Sequence, residues 1–167
     1  MTFRKTLMRT GLVAAAAIAL TPAQASTSFF NDWESTDFGT GAGFAILPSY
    51  EGWNTSAGPG IEVQYNNVAG LPFSGENLVE LDSSGNSEMS RAIASGTYSL
   101  TFYYSPRPSV PAASNGIDVL LNGVSIFNVT GAGGGQTGWV QQTVNFATGT
   151  GGTLSFAALG TDRKSVV

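Results

Sequence analysis

The sequence predicts an all-β protein, an antiparallel β-sandwich of jelly-roll type. Three observations carry this. Apolar and polar residues alternate with period two in short runs, glycine is plentiful at 22 of 167 residues, and no window after the leader shows a helical stripe longer than about ten residues. Turns consume glycine, while strands consume Val, Thr and the aromatics that make up 11% of the chain. Half-apolar strands become stable when two sheets bury each other's apolar faces, which is the physical basis of the sandwich.

The chain opens on a segment that is not part of this pattern. Arg4, Lys5 and Arg9 form a positive start, Gly11 to Leu20 is a short apolar run, and Ala23-Gln24-Ala25 is a small-x-small cleavage site. Residues 1–25 therefore read as a secretory signal peptide, with a mature chain from Ser26 that is secreted or extracytoplasmic, in the envelope or extracellular matrix. The apolar run is about half of the roughly 20 residues that span a bilayer, and no later stretch is longer, so the mature chain is expected to have no membrane span. Residues 26–161 suit one β-sandwich domain with a single core.

Within that domain the strands are read in order. Gly60 to Tyr65, Asn77 to Asp82, Thr97 to Tyr104, Gly116 to Leu121 and Val140 to Phe146 alternate, and Phe44 to Leu47, Ser125 to Val129 and Thr153 to Leu159 are further candidates. Asn122-Gly123 is a hairpin signal. Tyr50-Glu51-Gly52-Trp53-Asn54 reads as a glycine-containing loop between strands, Asp82 to Glu88 as a polar turn, and Gly131 to Gly138 as a flexible connection without the Lys-Ser/Thr of a phosphate loop. The alternation points Ile61, Val63, Val79, Leu81, Leu100, Phe102, Ile117, Val119, Val144 and Phe146 inward. It points Glu62, Gln64, Glu80, Thr101, Tyr103, Asp118, Gln141, Thr143 and Asn145 outward.

Composition excludes much chemistry. With no histidine and no cysteine there is no Ser-His-Asp triad, imidazole base, thiol nucleophile, zinc site or disulfide, and no organic cofactor is expected. From Ser26 to Thr161 ten acids face only Arg91 and Arg107, a net of −8, the wrong sign for nucleic acid. The closing Asp162-Arg163-Lys164-Ser165-Val166-Val167 breaks with this scarcity of bases. It resembles one reading frame of a sequencing adapter, so residues 162–167 are expected to be a non-native tail.

The outward register suggests a binding face. Glu62 and Glu80 can hydrogen-bond sugar hydroxyls while Tyr103 stacks on a pyranose ring, with Trp53 as a loop aromatic at the rim. Arg107, in a stiff loop between Pro106 and Pro108, either pairs with Glu80 or Glu62 or presents its guanidinium to a ligand. The bland alternative is an ordinary solvated sheet face. The functional readings are thus a non-catalytic carbohydrate-binding or matrix module, a structural or adhesive envelope protein with no small ligand and, a distant third, a glycoside hydrolase working through carboxylates such as Glu80 and Asp82.

A resemblance adds to this. The segments Gly60-Ile61-Glu62-Val63-Gln64, Glu76-Asn77-Leu78-Val79-Glu80-Leu81-Asp82-Ser83, Tyr103-Tyr104-Ser105-Pro106-Arg107-Pro108, Ser114-Asn115-Gly116-Ile117 and Asn122-Gly123-Val124-Ser125, in this order, resemble a bacterial exported family. Its members have galactose-binding-like jelly rolls and commonly end in a PEP-CTERM exosortase sorting signal. Phe30-Asn31-Asp32-Trp33-Glu34 loosely matches their opening strand, whereas their closing strand and Pro-Glu-Pro motif have no counterpart here. The resemblance implies a polysaccharide or envelope and matrix components as partners, and exosortase as a partner of the full-length protein. It also implies a structural calcium for which Asp32 and Glu34 would supply half a site.

Overall fold

The computed structural model describes residues 28–160, so the leader at 1–25 and the tail at 162–167 lie outside the described residues. Among these residues the chain forms β1 (Gly43–Leu47), β2 (Ser49–Tyr50), β3 (Trp53–Ala57), β4 (Ile61–Tyr65), β5 (Asn77–Glu80), β6 (Glu88–Ile93), β7 (Gly96–Tyr104), β8 (Gly116–Leu121), β9 (Val124–Val129), β10 (Val140–Thr148) and β11 (Gly152–Leu159). One 3-10 turn, Ala112–Ser114, precedes β8. Every ladder is antiparallel. The protein is all-β, and none of its described helices is long and apolar enough to cross a membrane.

The strands make a sandwich. One layer is a six-stranded sheet in the order β2-β3-β6-β11-β8-β9, and the opposing layer comes in two pieces, β1-β4-β5 and β10-β7. The core lies between them. Ile61 and Val63 from the first piece, Leu81 just past the end of β5 and Leu100 from the second piece join Trp53, Met89, Val119, Leu154 and Phe156 of the large sheet. Phe102 meets Phe156 edge-on at 5.0 Å, and Trp53 meets the same ring at 5.5 Å. All ten side chains assigned inward from alternation are buried or packed against this core.

Two tight turns shape the large sheet. Asn122 (φ 52°) and Gly123 (φ 77°) form the two-residue turn between β8 and β9, a type I′ geometry that matches the twist of the strands it joins. Glu51 (φ 46°) and Gly52 (φ 81°) do the same between β2 and β3. The segment from Tyr50 to Asn54 is therefore a hairpin, not an open loop between strands.

β2, β3 and β6 are the strands that alternation does not announce. β3 is Trp-Asn-Thr-Ser-Ala, with one large apolar residue, and β6 places Arg91 between Met89 and Ile93, where the pattern calls for an apolar side chain. Arg91 is tolerated there because its guanidinium carbon lies 3.9 Å over the Phe29 ring and 5.4 Å from that of Trp53, while Nη1 donates to Asn31 Oδ1 at 3.2 Å. Burial pushes the Arg91 guanidinium below its ordinary value.

Residues 30–34, matched above to an opening strand, are irregular coil docked on the sandwich. Glu51 holds them there. Its carboxylate accepts from Asn31 Nδ2 at 3.1 Å, from the Trp33 N–H at 3.2 Å and from the Ser35 N–H at 3.0 Å. Side-chain bonds from one hairpin turn thus replace the ladder that a strand would have made.

Candidate functional site

The outward face of the split layer carries the site. Across β4 and β5, Glu62 stands opposite Glu80 and Gln64 opposite Leu78, so all four side chains share one face. Two carboxylates placed this way repel. The Gln64 amide nitrogen bridges them, donating to Glu62 Oε1 at 2.8 Å and to Glu80 Oε2, and Arg107 Nη1 donates to Glu80 Oε1 at 2.7 Å in an ion pair. Glu62 and Gln64 are 3% exposed, and the Glu80 side chain 13%. The expected solvated positions of Glu62 and Gln64 are corrected accordingly: they point away from the core, yet their polar atoms are satisfied within a buried cluster, as buried polar groups must be.

Arg107 is placed by its loop. Its N–H donates to Asn115 Oδ1 at 2.9 Å, and Asn115 Nδ2 donates to the Val110 carbonyl at 2.9 Å, so one asparagine ties both ends of the turn. The Tyr104 hydroxyl donates to the Asn115 carbonyl and anchors that asparagine to the end of β7. Burial pushes the Tyr104 phenol up, and a hydrogen bond from the Gly131 backbone pulls it partly back.

Three loops gather beside the cluster. Thr137 Oγ1 and Trp139 Nε1 both donate to the Leu71 carbonyl, at 2.8 and 2.9 Å, and the Ser109 N–H donates to the Gly134 carbonyl at 2.9 Å. Gly133 lies against the Arg107 carbonyl so closely that a Cβ there would collide with it. The glycine-rich stretch expected to be flexible thus makes one specific close approach.

Tyr103, at 40% exposure, donates to Gln141 Oε1 at 3.2 Å on the outer face of β7. Its ring is not a bare platform. Phe73, from the loop before β5, stacks on it with centroids 3.6 Å apart and planes 16° apart, and is itself 52% exposed. The surface offered to a flat ligand is therefore the composite of Phe73 on Tyr103. Glu80, Tyr103, Phe73, Gln64 and Arg107 line one cavity of about 710 Å³.

The structure gathers four of the five residues nominated from sequence, Glu62, Glu80, Tyr103 and Arg107, on this side of the layer. It does not gather Trp53. That ring is 2% exposed in the core, with its Nε1 donating to Asn31 Oδ1 at 3.0 Å, so the rim position expected for Trp53 is corrected. Its hairpin turn leaves the indole pointing between the sheets. Gln64 and Phe73 were missed as site residues. Gln64 looked like one more outward polar residue of a strand, and Phe73 sits in Leu-Pro-Phe-Ser-Gly, which has no periodicity to assign a direction.

Asp32 and Glu34 do not fit half a calcium site. Both Glu34 oxygens are engaged at the start of β5, Oε1 by the N–H groups of Glu76 and Asn77 at 3.0 and 2.9 Å and Oε2 by Asn77 Nδ2 at 3.2 Å, while Asp32 Oδ1 accepts the Glu34 N–H at 3.2 Å. Calcium takes six to eight oxygen ligands. Among the described residues no group of three or more acidic side chains is placed to hold a metal. Compared with known proteins, the chain matches no protein-family model and no curated protein.

Proposed function

We propose that this domain is an exported, non-catalytic carbohydrate-binding or extracellular-matrix module of galactose-binding-like jelly-roll type, which takes a neutral polysaccharide weakly on the outer face of its split layer. One observation carries the reading: an exposed aromatic stack, Phe73 on Tyr103, stands beside the partly exposed Arg107–Glu80 ion pair, which the buried Gln64 amide helps hold in place. Sugars are recognised by that combination of an apolar ring face with fixed polar groups around its rim. The net charge of −8 over the domain disfavours acidic glycans. Within this reading the protein belongs to the envelope or matrix, with exosortase as the partner that sorts it.

The carboxylates support binding rather than hydrolysis. Glycosidases present one carboxylic acid and one carboxylate to the scissile bond. Here Glu62 is buried, and Glu80 is committed to Arg107 and Gln64. The adhesive reading also has an observation in its favour: Phe44 and Ile46, at 51% and 39% exposure, stand opposite Gln64 and Glu62 and extend the same face with apolar surface. Affinity electrophoresis separates the two. Retardation in gels holding neutral polysaccharide, with none in polyuronate gels, is expected of a sugar module, and free migration in both is expected of an adhesin.

A further inference from the structure

The loop between β4 and β5 is closed at its base. The Asn66 N–H donates to the Glu76 carbonyl at 3.1 Å, and Asn66 Nδ2 donates to the Gly39 and Gly41 carbonyls at 2.7 and 3.1 Å. Residues 66–76 therefore make a compact excursion with pinned ends, the form of an Ω-loop. Its crest is clamped too: Thr137 and Trp139 both donate to the Leu71 carbonyl, and Gly70, at φ 146°, lies where a Cβ would collide with the Thr137 methyl. On the facing side the Gly133 N–H donates to the Val110 carbonyl at 2.8 Å and the Ser109 N–H to the Gly134 carbonyl at 2.9 Å. Backbone bonds thus lace the turn that follows Arg107 to the glycine-rich loop.

These loops enclose a recess of about 490 Å³, distinct from the cavity beside the aromatic stack and within the range of about 300–1,000 Å³ in which small molecules are held. Asn67 and Gln136 line it with exposed amides, and Val68 and Leu71 line it with exposed apolar surface. Among the described residues no acidic side chain lines it, although the domain as a whole is acidic. Arg107 is its one charged residue, and the ion pair with Glu80 offsets that charge. Ala69, Arg107 and Pro108 line both this recess and the cavity that holds the stack. One loop therefore supplies Phe73 to the first site and Asn67 to the second, and one guanidinium is common to both.

On the reading of the Phe73–Tyr103 stack as a sugar platform, we propose that this recess is a second sugar subsite, so that the domain grips several consecutive residues of one neutral polysaccharide chain. The lining selects the ligand. Amides donate to and accept from hydroxyls, while Val68 and Leu71 meet the C–H face of a sugar ring. An offset guanidinium gives an anionic group little to gain, and it still presents further N–H donors of its planar fork to a neutral chain. The walls are fixed by hydrogen bonds within the protein, so little ordering is left to be done when the ligand arrives. Two subsites on one ligand make the second contact intramolecular, and affinity then grows with chain length without any change at the platform.

The test uses the whole chain in affinity electrophoresis through gels of β-glucan, xyloglucan and galactomannan, with oligosaccharides released from whichever polymer retards it as free competitors. Hexasaccharides should release the parent at concentrations lower by about tenfold or more than disaccharides require. The double variant Asn67→Gly, Gln136→Ala removes both amides and leaves the left-handed backbone at residue 67 (φ 62°) without strain. Both side chains are exposed, so its melting temperature should stay as in the parent. It should answer to disaccharides as the parent does and lose most of the gain from length, whereas Phe73→Ala should weaken binding at both lengths. Equal potency of the two lengths on the parent overturns the second subsite and leaves the platform standing, as does a full length gain in the double variant. Equal loss at both lengths in that variant also overturns it, because the amides would then act through the platform. A parent retarded by none of the gels overturns the platform and the second subsite together.

Discussion

Arg107 and Glu80 form an ion pair at 2.7 Å that links the loop after β7 to the end of β5, the two sides of the split layer. The same Glu80 stands opposite Glu62 on β4, so the guanidinium offsets a like-charge pair as well as joining two pieces of sheet. Both members keep some solvent contact, at 22% and 13% side-chain exposure, which places the pair between a weak surface bridge and a fully buried one.

Arg107→Ala should therefore cost about 1–3 kcal/mol of stability, the range for a hydrogen bond to a charged group whose partner stays behind. Arg107→Lys should cost less, because the charge survives while the planar fork is lost. Urea unfolding of the two variants checks the order; equal stability of Arg107→Ala and the parent would show that the pair contributes nothing.

Trp53→Ala should act on folding. An indole 2% exposed between Phe29 and Phe156 leaves a cavity when truncated, at a cost of about 3–5 kcal/mol. Phe73→Ala, at 52% exposure, should change the melting temperature little. Calorimetry on both variants distinguishes core from platform, and a small effect of Trp53→Ala would contradict its placement.

Stability should fall at alkaline pH through Tyr104. Burial raises its folded pKa above the unfolded value of about 10, so its contribution is complete below that pH and is lost as pH rises through the folded value. Melting temperatures should decline above about pH 10, and more shallowly for Tyr104→Phe. A decline of the same steepness in that variant would remove Tyr104 from the account.

Gly133→Ala should weaken sugar binding without touching the ligand. The added methyl collides with the Arg107 carbonyl and displaces the loop that carries the guanidinium. Chemical-shift changes centred on residues 105–111, with reduced gel retardation, are expected; unchanged retardation would mean that Arg107 is dispensable for binding.

The limits of the sequence reading have physical causes. The core was legible wherever apolar residues alternate, as in β4, β7 and β10, because Ile61, Val63, Leu100, Phe102, Val144 and Phe146 mark inward positions two residues apart. It was illegible in β6, where Arg91 occupies an inward position by lying on Phe29, a partner distant in sequence. Alternation separates the two faces of a sheet but says nothing of what lies over the outer one, so the burial of Glu62 and Gln64 was hidden. The direction of Trp53 was set by Glu51 and Gly52, whose left-handed conformations turn an apparent loop into a hairpin. Phe73 belongs to a segment with no period, and its place on Tyr103 follows only from the tertiary fold.

The most direct test of the account is affinity electrophoresis of Phe73→Ala in a neutral polysaccharide gel, with Phe44→Ala as the control. Phe44 is equally exposed on the same face but lies away from the aromatic stack. The composite platform predicts that Phe73→Ala loses on the order of 1 to 3 kcal/mol of binding, by analogy with base stacking on aromatic side chains, so its retardation falls or disappears while that of Phe44→Ala stays as in the parent. Retardation of Phe73→Ala equal to that of the parent would contradict the central claim that sugar is held on the Phe73–Tyr103 stack.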